Sequence, residues 1–291
     1  VQAFEDRPYV HRKQMQWLSR CRERGIPVYG QGVTTDAGFT FSFEDWNLYD
    51  DSEAWCEATT GSHEERVRKL ADPARRQALK DNLPTIATGP LETVTVLTPK
   101  SPATEAYRQM SVGQAAELMG VDPVDAMLDI AVADDLGTVF FAASPAGASN
   151  LIDEILADPY VLLGVSDGGA HTKFFTAGRY PTETLAHHVR ERELLTLEDA
   201  HWRLSALPAS LAGFRDRGTV RVGGPADVVV YDYERLEARP SEVAHDLPGG
   251  EWRRIQRASG YRWIIVNGDV TIEDDKETAT HSGRLLRHGV G

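Results

Sequence analysis

No stretch of this chain approaches the ~20 consecutive apolar residues that a membrane-spanning helix needs. Its 291 residues contain only two cysteines, Cys21 and Cys56. That is too few for a disulfide scaffold and suits a reducing compartment, with one disulfide left open. There is no N-x-[ST] sequon, and the first residues lack the basic-then-apolar form of a signal peptide, so the expected location is cytoplasmic. Positive charge is in deficit: 31 Lys and Arg stand against 44 Asp and Glu, a net −13. A sum of that sign repels phosphate backbones and anionic lipid, which argues against nucleic acid and membrane surfaces as partners. A complete metal signature is also missing. H-x-H does not occur, and the sequence from His63 is HEERV, with Val67 where H-E-x-x-H requires histidine. The chain opens VQAFEDRPYVHRK, without Met, and reads as the middle of something.

What is present is ordinary for a globular protein: 41% hydrophobic and 26% charged residues, enough for one large or two moderate domains. Residues 10–24 carry Met15, Leu18 and Cys21, with Trp17, at helical spacing, and Gly25 is placed to end that helix. IPVYGQGV follows as a short strand. From 36 to 90 the texture becomes aromatic and acidic, then strongly polar and helical with a break near Pro73, as expected of an insertion or lid. LETVTVLT and GTVFFAA read as strands, DPVDAMLDIAVADD and SNLIDEILADP as helices, and YVLLGV as a buried strand. Two helices come next, the second opened by Thr196 as N-cap, before a β tail through TVRVGGPADVVVYDY and YRWIIVNGDVTI. Asn267-Gly268 predicts a type I′ hairpin within it. Alternating β and α followed by a β tail predicts α/β layers plus a small β domain.

Three readings of chemistry compete. GVSDG, residues 164–168, matches the nucleophile-elbow pattern and would make Ser166 the nucleophile of a serine hydrolase. The elbow needs a helix directly after the turn, and no helix start is visible before about Pro181. His187 and His188 are adjacent, diverge by ~100° on a helix, and read as a solvated face. His11, His245, His281 and His288 read as surface residues. Asp167 is different, because a carboxylate at the carboxyl end of a parallel strand faces the active site in α/β folds and could ligate a metal or move a proton.

YVLLGVSDGGAH, the two helices after it and GGPADVVVYD, a Gly-x-(Ala)-Asp-(Val/Leu)-Val-Val strand, together resemble the amidohydrolase superfamily, specifically its N-acyl-D-amino-acid deacylase (D-aminoacylase) branch. WIIVNGDVTIEDDKETATHSGRLLR resembles the ending of that branch, and the likeness is strongest from about 155 to 287. The resemblance implies a (β/α)8 TIM-type barrel carrying a β-sandwich built from both chain ends, with one or two metal ions, usually zinc, at the barrel mouth. It implies that Asp167 ends the eighth strand, binds metal and acts as general acid/base. On this reading 1–215 form the C-terminal part of the barrel, with 36–90 as its lid, and 216–291 are sandwich strands. His171, Lys173, Arg179 and Gln31 become candidate substrate contacts, the two cations suiting a substrate carboxylate. Phe39, Phe41, Phe43 and Trp46 would either meet an acyl chain or pack the insertion.

The family's His-x-His pair, its bridging ligand and its further single histidines find no counterpart here, so IPVYGQGV reads as strand seven. The expected protein is the C-terminal portion of a metal-dependent hydrolase of linear amide C–N bonds, most plausibly in N-acyl (D-)amino acids. Its remaining ligands would lie in an N-terminal half, as a longer chain or a partner chain, and this chain alone would be inactive. A homo-oligomer stays open. The alternative is a non-catalytic subunit that completes a barrel with a partner. Where the branch often carries an Asp and Tyr-Pro-Tyr, this chain has Gln31-Gly-Val-Thr-Thr35, which implies a remodelled substrate pocket.

Overall fold

The computed structural model describes residues 1–4, 7–35, 38–45, 47–84, 89–143, 149–166, 168 and 177–289. In chain order its main elements are α1 (Tyr9–Glu23), β1 (Gly30–Gly32), β2 (Gly38–Phe41), α2 (Glu53–Thr59), α3 (His63–Ala71), α4 (Pro73–Asp81) and β3 (Thr95–Thr98). Then come α5 (Val112–Met119), α6 (Pro123–Ala133), β4 (Val139–Ala143), α7 (Ser149–Ala157), β5 (Val161–Leu163) and α8 (Tyr180–Glu183). After these follow α9 (Leu197–His201), α10 (Leu207–Leu211), β6 (Val228–Tyr231), β7 (Glu237–Ala244), β8 (Arg253–Ser259), β9 (Tyr261–Val266), β10 (Asp269–Glu273) and β11 (Lys276–Glu277). Helix α8 runs on into a wider π-helical segment, Thr184–Glu191, and α9 into another, Trp202–Ala206. Neither widening has a signature in the sequence. No helix among the described residues is long and apolar enough to cross a membrane.

Two compact units divide the described residues. One is drawn from Val1–Asp36, Ala146–Thr172 and Thr176–Gly291, the other from Ala37–Pro145. In the first unit β1 and β5 pair in parallel, Gln31 opposite Leu162, as the apolar YVLLGV run suggested. Leu18 of α1 and Leu151 and Ile155 of α7 pack with Val161 of β5 to cover this pair. Helix α1 ends as its sequence dictates: Gly25 adopts φ +70°, Gly25 N–H donates to Arg22 O, and Ile26 N–H to Cys21 O. Trp17 faces out at 55% exposure, whereas His11 is fully buried, against the surface position expected of it. Its Nε2 lies 2.9 Å from Glu154 of α7, and Arg12 adds two hydrogen bonds to the same carboxylate. Sequence spacing could not reveal this, because Glu154 is 143 positions away. Those hydrogen bonds, Arg12 foremost, hold the Glu154 carboxyl at about 2. Cys21 and Cys56 are both free thiols.

In the second unit β2, β4 and β3 form an antiparallel sheet in the order β2-β4-β3. This is not the parallel layering that the α/β alternation suggested, since two helices, rather than a single crossover helix, separate β3 from β4. Phe41, Phe43, Tyr49, Trp55 and Phe140 make its core, with Phe43 stacked on Trp55 at 6.0 Å. Phe41 and Phe43 therefore pack the unit internally; Trp46 lies outside the described residues. The segment read as an insertion, 36–90, supplies the first part of this unit, and the same core continues through α5, α6 and β4.

The β tail differs in detail. Residues 219–222, TVRV, are not a strand, and Val220 and Val222 are fully exposed. An unforeseen antiparallel ribbon, β7 with β8, is inserted between β6 and β9 of a four-stranded sheet in the order β11-β10-β9-β6. Asn267 and Gly268 both take positive φ, 48° and 91°, at the expected hairpin between β9 and β10.

One buried charge anchors the second unit. Asp134, 6% exposed just beyond α6, accepts from the Lys100 and Ser101 amides and from the Thr104 and Thr138 hydroxyls at 2.6–3.0 Å. Burial pushes its pKa up, and these bonds more than reverse that, bringing it to about 2 from an ordinary 3.8. The folded state thus favours the carboxylate by about 2 kcal/mol. That stability is fully present above the unfolded value and is lost as pH falls through about 2. Asp134→Asn is expected to cost about 2–3 kcal/mol in urea unfolding at pH 7. The gap from the parent protein should close as the pH is lowered towards 2.

Candidate functional site at the strand ends

Strand β5 is fixed at both ends. At its amino end Arg203, 2% exposed, donates to the carbonyls of Leu156 (2.7 Å), Asp158 (3.1 Å) and Val161 (2.6 Å), the turn that leads from α7 into the strand. At its carboxyl end Gly164 takes φ +80° and lies beneath the Tyr180 ring, so close that a Cβ there would sit 2.0 Å from Tyr180 Cδ2. No other residue fits that position without moving Tyr180. The glycine that matters most is therefore the first of the loop.

The next residue of chemical interest, Ser166, accepts a hydrogen bond at Oγ from the Gly168 amide at 3.2 Å, a local turn. Among the described residues no helix follows before Tyr180, so the helix that a nucleophile elbow requires is not among them. Asp167, His171 and Lys173 lie outside the described residues. Gln31 sits at the middle of β1 opposite Leu162, exposed to solvent. Arg179 directs Nε to Glu183 at 2.6 Å, one turn further along α8.

The carboxyl end of β1 carries a polar group that sequence reading missed. His188, 3% exposed, has Nε2 at 3.0 Å from Thr34 O. A carbonyl only accepts, so Nε2 carries the proton and, in the neutral ring, Nδ1 keeps its lone pair. Burial first of all lowers the pKa of His188 and keeps the ring neutral. Nδ1 and the hydroxyls of Thr34, Thr35 and Thr184 are all buried and without a hydrogen-bond partner among the described residues. The expected solvated face holds for His187, which is exposed and bonded to Glu191, but not for His188. The two histidines diverge as helix geometry requires; what put one inside was the packing of its helix against the end of β1. This group can hold a hydrogen-bond donor at Nδ1, and nothing in it requires charge.

A metal was tested against the same surroundings. Among the described residues no group of three or more His, Cys, Asp or Glu side chains could hold an ion. The described residues alone therefore do not fit a metal centre.

The parallel strand pair β1–β5 is flanked by helices, and a buried polar group lies at the carboxyl end of β1. Residues 35–272 match the Amidohydrolase family, and the chain belongs to that family. It is similar to N-acyl-D-glutamate deacylase of Alcaligenes xylosoxydans xylosoxydans, 32% identical over 61% of this chain and 33% of that protein. It is also similar to D-aminoacylase of the same organism, 34% identical over 38% of this chain and 20% of that protein. Among solved structures, N-acyl-D-glutamate deacylase from Bordetella bronchiseptica, complexed with zinc and a phosphonate inhibitor, is 21% identical with a TM-score of 0.49. That match covers 95% of this chain and 46% of the other. The chain spans a third or less of the length of these two curated relatives.

Three outcomes check the geometry. Gly164→Ala is expected to lower stability by about 2 kcal/mol or more. Gly168→Ala, whose Cβ would meet only Ser166 among the described residues, at 3.4 Å or beyond, should cost under about 1 kcal/mol by thermal unfolding. For His188, imidazole NMR should show the Nε2-protonated neutral ring persisting below the ordinary 6.5. Between that value and its own, the unfolded chain binds a proton that the folded one refuses, so this residue lowers stability as pH falls.

Proposed function

We propose that this chain is the C-terminal portion of a metal-dependent amidohydrolase that cleaves linear amide C–N bonds, with N-acyl (D-)amino acids as substrates. The observation that carries the reading is the parallel β1–β5 pair, whose second strand leads through Gly164 directly to Asp167. In the proposed reaction Asp167 takes a proton from the attacking water and returns it to the leaving nitrogen, as general base and then acid. Lys173 and Arg179 hold the substrate carboxylate, Arg179 being kept in place by Glu183, while His171 and Gln31 give further contacts. The family match and the deacylase relatives support the chemistry.

Zinc, one or two ions, belongs to the proposed whole enzyme, where it would supply Lewis acidity. In this reading Asp167 would share the metal with further ligands from an N-terminal half, in a longer chain or a partner chain. We read β1 and β5 as strands seven and eight of a (β/α)8 barrel that this half would complete, and the β tail as one part of a β-sandwich. A specific observation favours such completion. The sheet β11-β10-β9-β6 contains Val228, Val230, Trp263, Ile264, Ile265 and Ile272, yet none of its residues is buried. Apolar strands of that kind are normally covered on at least one face. The same sheet suits the second reading, a non-catalytic subunit that completes a barrel with a partner.

Asp167→Asn in the natural-length protein is expected to lower hydrolysis of N-acyl-D-amino acids by about 10²-fold or more while leaving the circular dichroism unchanged. Ser166→Ala should retain most activity. Full turnover in the Asp167 variant would sink the mechanism, and loss in the Ser166 variant would restore the serine hydrolase.

A further inference from the structure

Although the chain as a whole carries net charge −13, three arginines converge on one cavity of about 510 Å³ beside Trp202 and Phe214. A volume of that order, within roughly 300–1,000 Å³, suits a small organic molecule. Its walls are held from behind. Arg217 is tied to Asp216 at 2.6 Å and to Asp227 at 3.0 Å. Arg221 donates to the backbone carbonyl of Arg215 at 3.3 Å, and His288 Nδ1 lies 3.0 Å from Ala212 O. Gly218, with φ +80°, lets the loop that carries these arginines lie against the preceding helix; a Cβ there would come within 2.7 Å of Ser205 O.

With Arg217 neutralised by two aspartates, the charge left to the cavity is that of Arg215 and Arg221. The Arg215 guanidinium has no partner among the described residues, and a guanidinium offers a planar fork that matches carboxylate and phosphate. Trp202 is 52% exposed, which leaves much of its indole accessible from the cavity, and it stands on a π-helical segment. Such widenings often occur at functional positions. Its neighbour Arg203 meets β5 at the amino end, whereas Asp167 follows the carboxyl end.

We infer that this cavity binds a small organic anion, its carboxylate or phosphate held by Arg215 and Arg221 and its flat body lying against Trp202. Surface arginines that merely kept the protein soluble would not be gathered around an exposed indole in an acidic molecule. This inference stands apart from the proposed hydrolysis, since none of the residues assigned to that reaction lines the cavity.

The test follows the Trp202 indole N–H signal by NMR in the natural-length protein, assigned through Trp202→Phe. AMP and benzoate serve as anionic probes, adenosine and benzamide as their uncharged counterparts. At least one anion should shift the signal at millimolar concentration, more weakly at high salt, and the neutral analogues should not. A response to AMP alone makes phosphate the recognised group, and a response to benzoate alone makes it carboxylate. The double variant Arg215→Ala/Arg221→Ala should weaken binding about tenfold or more. Arg215→Gln, which keeps the side chain's length, provides the same comparison should the double variant lose its native spectrum. No shift with either anion, equal shifts with the neutral analogues, or unweakened binding in a folded arginine variant would overturn the inference.

Discussion

The first unit depends on one buried cation. Arg203 sits inside the protein and turns its donors on three carbonyls that the passage from α7 into β5 would otherwise leave unsatisfied. An unmade hydrogen bond at such a group costs about 1–3 kcal/mol, so three of them decide whether this turn can be buried at all. A guanidinium is a rigid planar fork with five donors, so it can serve several acceptors spread along a turn from one fixed position. The clamp fixes the amino end of β5, from Leu156 to Val161, where the strand begins its parallel pairing with β1.

The far end of the same strand obeys a different constraint, one of space rather than of charge. Tyr180 occupies the volume that a side chain on residue 164 would fill, which couples the start of α8 to the end of β5. Further along that helix, His188 reaches the carbonyl of Thr34 and couples it to the end of β1 as well. Both strand ends are therefore held by one helical segment. The residues that do the holding, Tyr180 and His188, are not themselves those expected to react, and burial keeps the His188 ring neutral.

Much of the fold was legible because it is locally encoded. Gly25 closing α1, Thr196 capping α9 and Asn267-Gly268 turning the tail hairpin each depend on a few neighbouring residues, and each is found as expected. The candidate site was legible only in part. Asp167 stood out because it follows an apolar run. His188 did not, since its partner Thr34 is 154 positions away and its own neighbours read as a solvated helix. His11 was misjudged for the same reason, its charged surroundings in sequence hiding a single distant glutamate.

The sequence by itself determined which segments are helix and strand in most of the chain, that one strand is buried in parallel company, and that its end carries a carboxylate. It determined family membership too, since the motifs around 155–287 are contiguous. Only the tertiary structure decided that Phe41 and Phe43 build a core, that β3 and β4 run antiparallel, and that His188 lies inside. It alone gathered arginines 215, 217 and 221 about an exposed tryptophan. The physical reason is range. Caps, turns and periodicity are settled within a few residues, whereas burial, strand direction and shared cavities depend on which distant segments the hydrophobic effect and buried hydrogen bonds bring together.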